Sequence, residues 1–143
     1  MIVLAGDHAG FELKEKLKRY FSKKNIEFFD AGAEEFNDAD SYVTFGKNAV
    51  EYFIKNCNVD KDKLILICGS GVGMSIVANR NEKVRAVLAY SAKQAKQGRL
   101  HNNCNCLCIG ARNTCFCLAK RIVTAFLQTE FLGGKHADRI KSI

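Results

Sequence analysis

KLILICGSGVGMSIVANR, residues 63 to 80, starts as an unbroken apolar run, turns on three glycines at every second position and continues as a helix-like segment. An apolar run without polar alternation marks a strand covered on both faces, as in a parallel sheet. A glycine-rich turn leading such a strand into a helix is the repeating unit of doubly wound α/β folds. One thiol, Cys68, stands at the junction.

The same alternation extends in both directions. Upstream, MIVLA reads as a strand and GFELKEKLKRYFSKK as a helix with Phe11, Leu13, Leu17, Tyr20 and Phe21 close to one face. IEFFD is the next strand, and a polar loop, AGAEEFNDAD, precedes a helix from about Tyr42 to Lys55. Downstream come strand VRAVLA, helix SAKQAKQGR, strand NCLCIG, the long helix NTCFCLAKRIVTAFLQT and, after a glycine break, a final helix in GGKHADRIKSI. Strand and helix alternate about five times with no repeat or linker, which predicts one α/β domain over residues 1–143 built on a parallel sheet. Such sheets bind ligands beyond the carboxyl ends of their strands, so the loops near Gly6, Ala31, Gly69, Tyr90 and Gly110 carry the candidate site.

Composition narrows the classes. No apolar run approaches the roughly 20 residues of a membrane span, and MIVLAGDHAG has no basic leader, so a cytoplasmic protein without a membrane partner is expected. The seven cysteines are an odd count, and none form a CxxC pair, so neither disulfides nor a metal site are expected. CNCLC should place the sulfurs of Cys104, Cys106 and Cys108 on one strand face; these three, with Cys57, Cys115 and Cys117, are expected to be buried, inert thiols. The net charge of +7 suggests nucleic acid or a phosphorylated small molecule as partner. Much of that charge is scattered, as in LKEKLKRYFSKK, which reads as a solvated face. No basic stretch interleaves with aromatics, so nucleic acid is not expected.

Gly69, Gly71 and Gly73 let the backbone approach a ligand and aim amides at it, with the following helix N-terminus adding positive potential. A tight turn alone is the plainer alternative. The spacing is GxGxG rather than GxGxxG, no ribose-binding acid ends VRAVLAYS, and GxxxxGK[ST] is absent, so no nucleotide cofactor is expected. Cys68 beside such amides suits a general base, since peptide N–H groups favour a thiolate. A nucleophilic Cys68 partnered by His101 is the competing reading. In GDHAGF, Asp7 and His8 follow the first strand, where His8 reads either as a ligand contact or as a capping or core residue. RLHNNCN puts His101 and Asn102 at the amino end of a strand, normally the wrong side for its own subunit's site. Arg112 ends the following strand, and Lys135 and Arg139 share a helix face as either a solvated surface or a phosphate clamp.

GDHAGFELK, ICGSGVGMSIVANR, VRAVLAY, RLHNNCNCLCIGAR and FLGGKHADRI, in that order, resemble the ribose-5-phosphate isomerase B family, which includes the galactose-6-phosphate isomerase subunits. The resemblance covers nearly the whole chain. It implies a Rossmann-like α/β/α sandwich with a five-stranded parallel sheet, and a homodimer or homotetramer whose sites lie at the subunit interface with the C-terminal helix packed on the partner. It further implies an aldose–ketose isomerase passing through an enediolate without metal or cofactor, with ribose 5-phosphate and ribulose 5-phosphate as the leading substrates. Allose, galactose or tetrose phosphates, and a non-catalytic phosphosugar-binding module, are the alternatives. By resemblance, Cys68 is the base, Ser70 assists it, and Gly69, Gly71, Gly73 and Ser75 form the anion cradle. His101 is the ring-opening acid/base, Asn102 a ligand of the enediolate, and Asp7 a ligand of sugar hydroxyls. His8, Arg112, Lys135 and Arg139 match phosphate contacts, and Tyr42 the tyrosine of an Asp-Tyr-Pro segment. This chain departs in having Lys135 for Arg, Val43 for Pro, Ala5 for Gly, and Met74 where some relatives carry a Glu base.

Overall fold

In the computed structural model, which describes residues 1–143, the apolar runs become five parallel strands ordered β2-β1-β3-β5-β4. These are β1 (Ile2–Gly6), β2 (Phe28–Asp30), β3 (Lys63–Cys68), β4 (Ala86–Leu88) and β5 (Cys106–Gly110). The amphipathic runs become α1 (His8–Lys23), α2 (Tyr42–Asn56), α3 (Val72–Ala78), α4 (Ala92–Asn102), α5 (Phe116–Gln128) and α6 (Lys135–Ile140). The architecture is the expected Rossmann-like α/β/α sandwich.

β1, β3 and β5 are buried at every position, which is why their sequences show no polar alternation. One sheet face, with Leu4, Ile67 and Leu107, packs under α1, α4 and α5. The other, with Val3, Leu66 and Cys108, packs under α2 and α3. The chain therefore leaves β1 and β5 toward one layer and leaves β3, between them, toward the other. Diverging exits open a crevice at the carboxyl ends on each side of β3. Asp7 caps α1 by accepting from Gly10 N at 2.9 Å, and Gly10 packs so tightly on β3 that a Cβ there would lie 2.4 Å from the Ile67 carbonyl oxygen.

Four expectations need correction. Lys14 does not belong to a solvated face: it is fully buried, its Nζ 2.5 Å from Asp30 and 3.0 Å from Glu15, with Lys18 also on Asp30. Burial alone would raise the Asp30 pKa, but the two lysines hold it below its ordinary value. Cys115 and Cys117 are exposed and Cys57 half-buried, because Cys115 is the N-cap outside α5 and Cys117 lies off its Ala119–Ile122–Val123–Phe126 stripe. Cys104 falls outside β5 and joins the opposite layer, while Cys106 and Cys108 share one face with Sγ atoms 4.0 Å apart. Burial pushes the Cys104 thiol up to about 11 and that of Cys106 well above its usual range. The helix expected over SAKQAKQGR continues to Asn102, so His101 and Asn102 end a helix rather than occupy a loop. No helix is long and apolar enough to cross a membrane.

Candidate active site

Cys68 ends β3 paired with Gly110, and its side chain is almost wholly buried. The Gly71 N–H donates to its Sγ at 3.1 Å. That approach depends on glycine: φ of Gly71 is +78°, in the left-handed region, and a Cβ there would lie 2.6 Å from Leu88 Cδ1. In the same loop, the N–H groups of Gly69, Ser70, Gly73 and Met74 have no acceptor within the chain. They are unpaired donors at the start of α3, an arrangement suited to a developing oxyanion. Ser70 Oγ accepts from Val72 N at 3.3 Å, which leaves its own proton free to donate, whereas the Ser75 hydroxyl donates to Val72 O at 2.8 Å.

Two side chains close on this loop from outside. The Arg112 guanidinium lies over Gly69, 3.2 Å from where a Cβ would stand, and Arg112 N donates to Gly69 O at 3.0 Å. The Tyr42 ring covers Gly73, where a Cβ would meet it at 2.5 Å. Tyr42 opens α2 behind the N-cap Ser41, whose Oγ accepts from Val43 N at 3.2 Å. The valine that departs from the family's proline thus supplies an N–H that a proline lacks.

Asp7 and His8 meet the same crevice from β1, with Asp7 N donating to Ile67 O at 3.3 Å. Asp7 is 4% exposed, and burial raises its pKa above the ordinary carboxylate value. His8 bonds twice to one oxygen of Asp40: backbone N to Oδ1 at 2.8 Å and ring Nδ1 to Oδ1 at 2.9 Å. The Asp40 bond is the main reason the His8 pKa is raised. The Asp40 side chain is 8% exposed, and its Oδ2 is buried without a partner. Asp7, His8 and Asp40 bring one ligand atom each within 4.8 Å, the spacing of a possible cation site. However, His8 Nδ1 and Asp40 Oδ1 already satisfy each other, and Asp7 Oδ1 holds the Gly10 amide, so the trio works as an ion pair and a cap. Asp40 was not among the residues singled out in the sequence.

The remaining candidates lie elsewhere. His101 and Asn102 end α4 at the amino edge of the sheet, below Cys106, which pairs with Leu64. The rise from Leu64 to Cys68 is roughly 13 Å at about 3.3 Å per residue. Cys68 and His101 of one chain therefore do not meet, which removes the reading of a Cys68–His101 nucleophilic pair within one subunit. Lys135 and Arg139 lie on α6, which packs against α4, so they accompany His101 rather than His8 and Arg112. His136, also on α6, stacks on His101 with ring centroids 4.7 Å apart. Desolvation and the neighbouring charges of His101, Lys135 and Arg139 lower the His136 pKa. Asn102 and Ile140 line the largest cavity, about 1150 Å³, on this side of the molecule.

The family model of the ribose/galactose isomerases matches residues 2–143. Ribose-5-phosphate isomerase B of Escherichia coli is 35% identical over 144 residues, spanning 99% of this chain and 93% of that protein. A putative sugar phosphate isomerase of Rickettsia typhi is 35% identical over 142 residues, spanning 99% and 96%. Among solved structures, ribose-5-phosphate isomerase B of Mycoplasma genitalium with bound ribulose-5-phosphate matches with a TM-score of 0.93 at 37% identity, covering 99% of this chain and 91% of that one. The Thermotoga maritima ribose 5-phosphate isomerase matches with a TM-score of 0.91 at 42% identity, covering 99% and 94%. With sequence, fold and the ordered loops all matched nearly end to end, this chain belongs to the ribose/galactose isomerase family.

Proposed function

We propose that this chain interconverts ribose 5-phosphate and ribulose 5-phosphate, with Cys68 as the base. The observation that carries the reading is the buried Cys68 sulfur, bonded to Gly71 N–H at 3.1 Å in a loop that also carries unpaired amides. The thiolate takes the proton from C2 of the open-chain aldose, leaving an enediolate. The hydroxyl proton of O2 passes to O1, and the Cys68 S–H returns the abstracted proton to C1, giving the ketose and regenerating the thiolate. The free N–H groups of Gly69, Ser70, Gly73 and Met74 hold the negative oxygens between the two transfers, and the Ser70 hydroxyl is placed to donate beside them. Asp7 holds sugar hydroxyls, and Tyr42 walls the far side of the loop. His8 and Arg112 supply cations for the phosphate.

His101 opens the sugar ring, Asn102 binds the enediolate, and Lys135 and Arg139 complete the phosphate clamp, all from a second copy of the chain. A homodimer or homotetramer is the assembly that makes this possible. Its support is the placement of these four residues at the opposite end of the sheet from Cys68, together with the exposed apolar Val72 and Ile76 beside the glycine loop. Replacing an arginine by Lys135 gives one point charge in place of a bidentate fork.

The substrate is tested by comparing kcat/KM for ribose 5-phosphate with that for allose and galactose 6-phosphates. Preference for the five-carbon sugar by about tenfold or more is expected, in the range a misfitting carbon unit imposes. Equal or better turnover of a six-carbon sugar overturns the assignment.

A further inference from the structure

Tyr90 follows β4 at the sheet edge, yet its hydroxyl reaches over the end of β5 and donates to Ser70 O at 2.8 Å. No other donor in the chain bonds that carbonyl. The Ser70 carbonyl packs directly on residue 110, which is glycine: a Cβ there would lie 2.5 Å from Ser70 O. The peptide bond that carries the Ser70 carbonyl also carries the Gly71 N–H. In a trans peptide the two groups point in opposite directions, and the chain has no cis peptide bond. One end of this peptide plane is thus held by Tyr90, and the other donates to Cys68 Sγ at 3.1 Å.

We propose that Tyr90 is a positioning residue for the base: its hydroxyl fixes the Ser70–Gly71 peptide so that Gly71 N–H stays aimed at Cys68 Sγ. The inference rests on the reading of Cys68 as base. Tyr90 makes no hydrogen bond to the sulfur, and its effect passes through one amide. A hydrogen bond to an ionised acceptor is stronger than the same bond to a neutral one, so a fixed Gly71 N–H favours the thiolate over the thiol. A donor on the carbonyl also polarises the peptide and strengthens its N–H. Without Tyr90 the carbonyl can turn to solvent, and the N–H turns away with it.

The test is the pH dependence of kcat/KM for ribose 5-phosphate in Tyr90→Phe, which keeps the ring and deletes only the hydroxyl, with Cys68→Ala measured alongside. Tyr90→Phe is expected to move the acid limb of the profile upward by about half to one pH unit, to lower kcat several-fold at neutral pH and to leave KM nearly unchanged. A profile that superimposes on that of the wild type, or that falls by the same factor at every pH, overturns the Tyr90 assignment while Cys68→Ala remains inactive. Turnover retained in Cys68→Ala overturns the base reading itself, and the inference with it.

Discussion

The carboxyl and amino ends of the sheet carry opposite kinds of surface. At the carboxyl ends, strand exits diverge around β3 and leave a crevice in which the chemical side chains are held. Gly71 N–H holds Cys68, Asp40 holds His8, and the Asp7 carboxylate caps α1. At the amino ends, the cations Lys135 and Arg139 lie on α6 with His136, which stacks on His101. On the proposed reading, one end supplies a base and an oxyanion cradle, and the other a ring-opening histidine and cations for the phosphate. On that reading neither end alone is a complete isomerase site, and the two sets of groups are complementary. The proposed dimer lends each end to a neighbour.

The sharpest way to break the contrast is to move the chemistry off Cys68. Cys68 and Cys106 belong to the same buried layer, but only Cys68 sits beneath a loop amide. Cys68→Ala is expected to lower kcat about 10³-fold, the scale of a lost general base. Cys106→Ala is expected to leave kcat unchanged and cost about 1 kcal/mol of stability, measured by denaturant unfolding. Equal effects of the two substitutions would dissolve the distinction between a poised thiol and a core thiol.

A smaller effect concerns the crevice's own cation. The His8 pKa is raised in the fold above its ordinary 6.5, chiefly by the Asp40 bond. Stability from the pair is therefore fully present below the unfolded pKa and is lost as pH rises through the folded one. The stability difference between wild type and Asp40→Asn should narrow from mildly acidic to alkaline pH. If His8 grips the phosphate as a cation, KM should rise through the same window, and Asp40→Asn should move that rise to lower pH. Coincident KM profiles for the two proteins would remove His8 from the phosphate site.

The legible parts of this molecule were the local ones. The run Leu64–Cys68 and the following glycines showed strand, turn and helix because each signal lies within a few residues of the next. Even the displacement of His101 could be read, since its segment leads into a strand rather than out of one. Contacts that cross the fold left no periodic trace. Asp40 reaches His8 across 32 positions and Tyr90 reaches Ser70 across 20, and neither sits in a patterned segment. Lys14 misled for the opposite reason: its charge fits a solvated helix face until Asp30, on the neighbouring strand, draws it inward. The order of β4 and β5 in the sheet is likewise set by packing between distant elements.

Whether the two ends complete each other is tested most directly by mixing two disabled proteins. Cys68→Ala and His101→Asn chains, each weakly active alone, are refolded together and assayed with ribose 5-phosphate. In a shared-site dimer each mixed pair carries one intact site, so activity should recover to about a quarter of the wild-type value from statistical pairing. Activity that stays at the average of the two parents would contradict the account, because each chain would then be completing its site alone.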